Sequence, residues 1–338
     1  AYVLGHDIKS GHARKKIRQQ LDFMKAYAKK HSDWFEIAFT PTQARKIIAS
    51  GRTAIVLALE GAAGALYDEF DARELAAQGV AMVTLIHLSD GEYGASSLVS
   101  GIPGWWLNPW GKLTNGLGFE RPGLSKRGAE AVRWLGDAGI MVDLNHMSSG
   151  AIQETLKLTR RLKIPPVFTH GYLAELVAHE NAISADQLVD VYEQGGMFSL
   201  STSGLLLEPN VSGVLRPDEY CPNTLDAFEM HYTQAYQVLK NRFGVVPGIA
   251  VGADFNGATK HLAPKYGSDQ CMPSAMGPAP EIAFDQSGIT DPSSMPGFWQ
   301  RLAERVVDLT PVRESTETFL TVWEKAHRRK WMLGWDLN

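Results

Sequence analysis

Five apolar runs in this chain stop at a residue that can bind a metal or carry a proton, and they restrict the fold more than any other feature. TAIVLALE (53–60) ends in Glu60, MVTLIH (82–87) in His87 and MVDLNH (141–146) in His146. PPVFTH (165–170) ends in His170 and GIAVGAD (248–254) in Asp254. Strands buried on both faces of a parallel sheet read as near-continuous apolar stretches. In barrels of such strands, the C-terminal strand ends build the active site. Each residue alone has an ordinary structural reading: a hydrogen-bonded strand-end histidine, a turn acid at Glu60 before Gly61, a loop cap at Asp254 in ADFNG. The same residue types recurring at one structural position point instead to a shared site.

Helical patterns alternate with these runs. Residues 14–31 are amphipathic, with Ile17, Leu21, Met24 and Ala28 at helical spacing. Thr40-Pro41 reads as a cap and a first-turn proline for a helix to Ser50. Ser125 opens a helix to Ala138, followed by Gly139. Ser184 with Gln187 is a capping-box pattern, and that helix stops at Gly195-Gly196. Further helices fit 150–162, 226–243, 295–306 and 312–329. Alternation of this kind implies a parallel sheet with helices outside it.

The fold class is therefore α/β, a TIM-type (β/α)8 barrel formed as a single domain over 1–338. Seven strands can be placed, at 34–39, 54–60, 82–87, 141–146, 165–170, 197–201 and 248–254. The first of the barrel's eight is expected upstream of the residues present. Stretches 89–123, 203–224 and 256–292 lack periodicity and read as long loops over the site. The first contains Trp105, Trp106 and Trp110, either a hydrophobic lid or interface patch or packing in the core or loop.

Composition removes several classes. A net charge of −4 argues against a nucleic-acid binder, which presents a basic face. Arg328, Arg329 and Lys330 cluster near a helix end, where they complement the helix dipole. No apolar stretch has the length of a membrane span. Cys221 and Cys271 are too few to read as a disulfide framework, so one bridge or two free thiols both fit. GADFNG and GAAGAL lack the strand-turn-helix spacing and lysine of a phosphate loop, and no GxSxG elbow occurs. Ser148-Ser149 reads as a helix start.

The terminal residues suit metal-assisted hydrolysis. His146 and His170 end neighbouring strands, which lie about 4.8 Å apart, so two imidazoles could share one ion. Glu60 could bridge two metals. Asp254 could orient or deprotonate a metal-activated water, and His87 could steady a developing oxyanion. His6, His12, His31, His261 and His327 read as surface or loop residues, and His231 as structural.

At this point the chain resembles the membrane (renal) dipeptidase family, peptidase family M19 of the amidohydrolase superfamily. LALEGA resembles the segment that carries the family's metal-bridging glutamate, which implies that role for Glu60. GVAMVTLIH (79–87) is similar to "GVRYLTLTH", implying a substrate-contacting His87. GLSKRGAEAVRWLGDAGIMVDLNHMS (123–148) and PPVFTHG imply metal ligands at His146 and His170. GIAVGADFNG is similar to "GFGGDFDG", implying a proton-handling Asp254. The tail SMPGFWQRLAERVVDLTPVRESTETFLTVW resembles the family's closing helices.

The resemblance implies Zn2+ as cofactor, two ions per active site with a one-metal site as the alternative. It also implies a small peptide-like substrate, dipeptides in particular, and a possible homodimer. Two departures stand out. The family's first strand carries a His-x-Asp pair that completes the first metal site; Gly5-His6-Asp7 is not that motif. Where many members have a basic pair before an asparagine, this chain reads His179-Glu180-Asn181, which opens other amide or lactone substrates. A catalytically inactive binding protein on the same scaffold is the reading from another class.

Overall fold

The computed structural model describes residues 12–98, 101–119, 121–203, 221–257, 259–267, 272 and 284–332. They group into two compact units. The first is Ala1–Phe168, Glu193–Met197 and Glu317–Asn338; the second is Thr169–Tyr192 and Phe198–Thr316.

The first unit opens with α1 (Ala13–Lys30), β1 (Phe35–Ile37), α2 (Pro41–Ala49) and β2 (Thr53–Ile55). Then come β3 (Leu57–Glu60), α3 (Glu69–Ala77), β4 (Val80–Thr84), α4 (Gly101–Leu107) and α5 (Pro109–Gly116). It continues through α6 (Lys126–Asp137), β5 (Met141–Asp143), α7 (Ser149–Leu162) and the start of β6 (Pro166–Leu173). The caps follow the sequence. Thr40 Oγ1 accepts from Gln43 N at 3.1 Å, Ser125 Oγ from Gly128 N at 2.9 Å and Ser148 Oγ from Ala151 N at 3.2 Å. Each satisfies an otherwise orphaned helix N–H. Gly139 takes φ +77°, as its place after α6 requires.

Strands β3, β4, β5 and β6 form a parallel ladder. Their side chains Leu59, Val83, Val142 and Val167 are buried, as are Val132 and Leu135 of α6 and Ile152 and Leu156 of α7. Burying each such side chain stabilises by roughly 1.5–3 kcal/mol. The two-stranded parallel pair β1–β2 is separate from this ladder. The single strand expected over 54–60 is thus split in two, β2 pairing with β1 and β3 with β4.

Two further expectations change. The stretch 89–123 is not a bare loop: its Pro-containing segments wind into α4 and α5, the latter started by Asn108, whose Oδ1 accepts from Gly111 N at 3.0 Å. Helix α3 has no counterpart in the pattern reading, because its apolar face is narrow; Asp68 caps it by accepting from Asp71 N at 3.0 Å.

The second unit contains the end of β6, β7 (Ala182–Ile183), all but the last residue of α8 (Ala185–Glu193), all but the first of β8 (Met197–Ser201), α9 (Leu225–Phe243) and β9 (Ala250–Gly252). It closes with α10 (Phe284–Ser287), a 3-10 turn (Pro292–Ser294), α11 (Met295–Arg305) and α12 (Thr310–Arg313). Helix α13 (Ser315–Met332) belongs to the first unit from Glu317 onward. The capping box at Ser184 is reciprocal: Gln187 N donates to Ser184 Oγ at 3.2 Å, and Ser184 N to Gln187 Oε1 at 2.9 Å. Strands β8 and β9 pair in parallel, with Ser201 opposite Gly252. Cys221 is buried and disulfide-bonded; Cys271 lies outside the described residues. Residues 204–220 and most of 268–283 in the expected loops also lie outside them. Among the described residues no helix is long and apolar enough to cross a membrane.

The backbone of β9 passes close to that of β6. A methyl group on Gly252 would strike the Thr169 carbonyl oxygen and come within 3.0 Å of His170 Cα. Neither neighbour is a flexible side-chain end, so Gly252→Ala is expected to lower stability by about 3 kcal/mol or more. The shift of the urea unfolding midpoint measures it; an unchanged midpoint would show that the two strands separate freely.

Candidate metal centre

Register places three polar residues in one row across the first unit's ladder. Glu60 pairs with Thr84, and Thr84 with Asp143. Asp143 is fully buried inside an apolar strand and must find partners there. Its Oδ2 accepts from Thr84 Oγ1 at 2.6 Å, and its Oδ1 from Asn145 N at 3.1 Å. The second contact turns the chain at the end of β5, and His146 follows with φ +65°. The same turn is held from above: Ser97 N donates to His146 O at 2.7 Å, and Ser148 N to Ala95 O at 2.9 Å.

The histidines lie past the strands, not at their last residues. β4 ends at Thr84 and β5 at Asp143, so His87 and His146 both sit in the following turns. The pairing continues beyond β3, with Gly61 N donating to Thr84 O at 2.9 Å, and this carries His87 alongside Glu60. Gly61 has φ +84°, and a methyl there would stand 3.4 Å from His87 Cβ. Glycine therefore gives the turn its conformation.

Three side chains converge as a result. His146 Nε2 lies 3.1 Å from Glu60 Oε1, and His87 Nε2 lies 3.7 Å from the same oxygen. The two imidazoles meet edge to face with centroids 4.5 Å apart. One ligand atom from each of Glu60, His87 and His146 lies within 4.8 Å of the others. Zinc holds nitrogen and oxygen ligands at about 2.0–2.2 Å, which sets neighbouring atoms of a tetrahedral set roughly 3.4 Å apart. The observed 3.1 and 3.7 Å bracket that spacing, so the donor set fits a divalent ion.

Glu60 and His87 also line a cavity of about 680 Å³ within the first unit. Its far wall is built by the loop after β4. Asp90 Oδ1 anchors that loop, accepting from Ser96 N at 2.9 Å, Asn108 Nδ2 at 2.8 Å and an Arg121 guanidinium nitrogen at 2.7 Å. The Tyr93 hydroxyl donates to Ala62 O and Leu66 O, and burial pushes its pKa above the usual phenol range. The three tryptophans of WWLNPW do not pack into the core: Trp105, Trp106 and Trp110 are 53%, 85% and 74% exposed.

His170 and Asp254 belong to the second unit. His170 is not at a strand end, because β6 runs on to Leu173; its Nδ1 lies 2.9 Å from Thr169 Oγ1. Asp254 stands two residues beyond β9 with φ +52°. Its Oδ1 accepts from Asn256 Nδ2 and its Oδ2 from Thr259 Oγ1, both at 3.1 Å. His231 is fully buried and accepts from Leu173 N at 3.2 Å, so it supports the end of β6. His261 is less peripheral than its loop position suggests. Its ring packs on Phe255 with centroids 4.5 Å apart, and burial lowers its pKa against the opposing charge of Asp254. Pattern reading passed over Asp143 and Asp90. A carboxylate inside the apolar run MVDLNH was the available signal for the first; the second had none.

Parallel strands with helical crossovers, carrying a carboxylate–imidazole cluster past their C-terminal ends, define an α/β barrel-type protein equipped for a metal ion. The family model for membrane dipeptidase, peptidase family M19, matches residues 1–268. The chain belongs to this family. It is 26% identical over 239 residues to Dipeptidase verJ of Clonostachys rogersoniana, covering 71% of this chain and 52% of that protein. The chain thus spans about half the length of that curated relative. Its fold is similar to an amidohydrolase from Pseudomonas aeruginosa, with TM-score 0.64 and 16% identity over 96% of this chain and 92% of that one. It is also similar to a metallopeptidase from Rhodobacter sphaeroides liganded with a phosphinate mimic of the dipeptide L-Ala-D-Ala. That likeness has TM-score 0.59 and 17% identity over 86% of this chain and 69% of that one.

Proposed function

We propose that this chain is a metal-dependent hydrolase that cleaves the amide bond of dipeptides, with Zn2+ as the metal. The observation that carries the reading is the convergence of Glu60, His87 and His146 in a chain matched by the M19 family model. A divalent metal held there would acidify a water and polarise the amide carbonyl. Glu60 would bridge, and His146 would hold the metal. The resemblance adds His170 as a further ligand and gives Asp254 the proton, taken from the attacking water and returned to the leaving amine.

His87 has two readings. The resemblance makes it a substrate contact that steadies the oxyanion. Its Nε2, 3.7 Å from Glu60 Oε1, favours a ligand role instead. Metal analysis separates these. Wild-type protein purified without chelator is expected to hold about two equivalents of metal; His146→Ala with His170→Ala is expected to lose it. Loss of metal in His87→Ala would make His87 a ligand. Full metal with depressed turnover of Ala-Ala would make it a substrate contact. Protein that takes up no metal when Zn2+ is supplied would sink the hydrolase reading and leave a binding scaffold.

A further inference from the structure

The cavity beside Glu60 and His87 is lined in a way that the proposed chemistry does not need. Its volume of about 680 Å³ lies well within the range of pockets that enclose drug-sized ligands. Two small residues joined by one peptide bond would leave much of it to water. Its walls away from the metal donors are aromatic and aliphatic: Tyr67, Tyr93 and Trp106, with Ile86, Leu88 and Leu107. Tyr93 is fixed by its two carbonyl partners, and the guanidinium groups of Arg14 and Arg127 lie over the Tyr67 ring, 4.7 and 5.4 Å from its centroid. Trp106 lines the cavity and is 85% exposed.

Among the described residues, the carboxylates set the sign of the charge on these walls. Apart from His87 the charged groups are Glu60, Asp90 and Glu92, with no lysine or arginine among the described lining residues. Asp90 and Glu92 are held by Arg121 and Arg127, which lie outside the lining; Arg127 Nε is 3.1 Å from Glu92 Oε2. Among the described lining side chains an anionic group would meet these carboxylates. A neutral ring would find faces and edges to pack on.

We infer that this cavity is the specificity pocket of the enzyme and that it selects substrates with a large neutral aromatic side chain beside the scissile bond, Trp106 closing over the ring. The inference rests on the proposed hydrolysis for its place in catalysis, but its test reads binding separately. The probes are phosphinate mimics of Ala-Ala, Phe-Ala, Ala-Phe, Glu-Ala and Ala-Glu, titrated calorimetrically into the zinc-supplied full chain. One of the two Phe mimics is expected to bind about tenfold or more tighter than the Ala-Ala mimic, the scale of burying a phenyl group. The corresponding Glu mimic is expected to bind no better than Ala-Ala.

Trp106→Ala is expected to remove most of the Phe advantage over Ala-Ala; Trp106→Phe is expected to retain it. Because Trp106 is exposed, neither variant threatens the fold. Equal affinity for Phe and Ala mimics, a Glu mimic that binds as tightly as Phe, or a Phe advantage that survives Trp106→Ala would overturn the assignment, even if dipeptides are hydrolysed. Phe-selective binding lost in Trp106→Ala, with no dipeptide turned over, would support the pocket and overturn the hydrolytic reading.

Discussion

Glu60→Gln is expected to lower kcat/KM for dipeptide hydrolysis by roughly a thousandfold or more and to strip most of the bound metal. The argument is geometric first. Glu60 Oε1 is the atom both histidines face, at 3.1 Å from His146 and 3.7 Å from His87. Glutamine has the same shape and can fill the same space, but it removes the charge that a shared cation requires and offers a weaker oxygen ligand. A metal's stabilisation of the transition state is worth several kcal/mol, and each 1.36 kcal/mol is a factor of ten in rate. The side chain is partly exposed, and its strand is held by backbone pairing to β4, so the fold survives the change. Circular dichroism should be unaltered while metal content and rate fall together. A variant with full metal and activity within tenfold of wild type would remove Glu60 from the centre.

The chain announced its strands better than their ends. Apolar runs located β3, β4, β5, β6, β8 and β9, because buried parallel strands need continuous hydrophobic sequence. The same runs overstated where pairing stops. MVTLIH reads as one strand up to its histidine and MVDLNH is broken only by Asp143 and Asn145, yet the ladder ends at Thr84 and Asp143, where side chains with hydrogen-bonding needs meet across the register. His87 and His146 then owe their positions to turns: the Gly61–Thr84 backbone bond and the Asp143–Asn145 contact. Those are pairwise facts between distant segments, and no local pattern encodes them. The converse holds at β6: the apolar run PPVFTH ends at His170, yet GYL continues the strand to Leu173. The loop after β4 shows the same limit. Its tryptophans were visible, but the clamp of Asp90, Asn108 and Arg121 joins residues as far as 31 positions apart. The candidate site was therefore legible as a set of residue types, and only the tertiary register says which of them meet.

Asp254→Asn is expected to cut kcat by about a hundredfold to ten-thousandfold, the usual range for losing a general acid–base group. Metal content and KM are expected to stay near wild type. Asparagine is the discriminating substitution because the site suits its backbone: Asp254 adopts φ +52°, a conformation asparagine enters readily. The local cost is small. Asp254 accepts from Asn256 Nδ2 and Thr259 Oγ1, while Asn256 Oδ1 accepts from Thr259 N at 2.9 Å and Asn256 Nδ2 donates to Thr259 Oγ1 at 2.9 Å. One of the two carboxylate bonds would lose its acceptor; the Thr259 hydroxyl can rotate to accept from the new amide, so the turn gives up about 1 kcal/mol at most. What the variant cannot do is take up a proton at Oδ1 or Oδ2 and hand it on. Lost metal would recast Asp254 as a ligand, and a rate within tenfold of wild type would move proton transfer elsewhere. His261 would then be the group to mutate next, since its ring already packs on Phe255, the residue that follows Asp254.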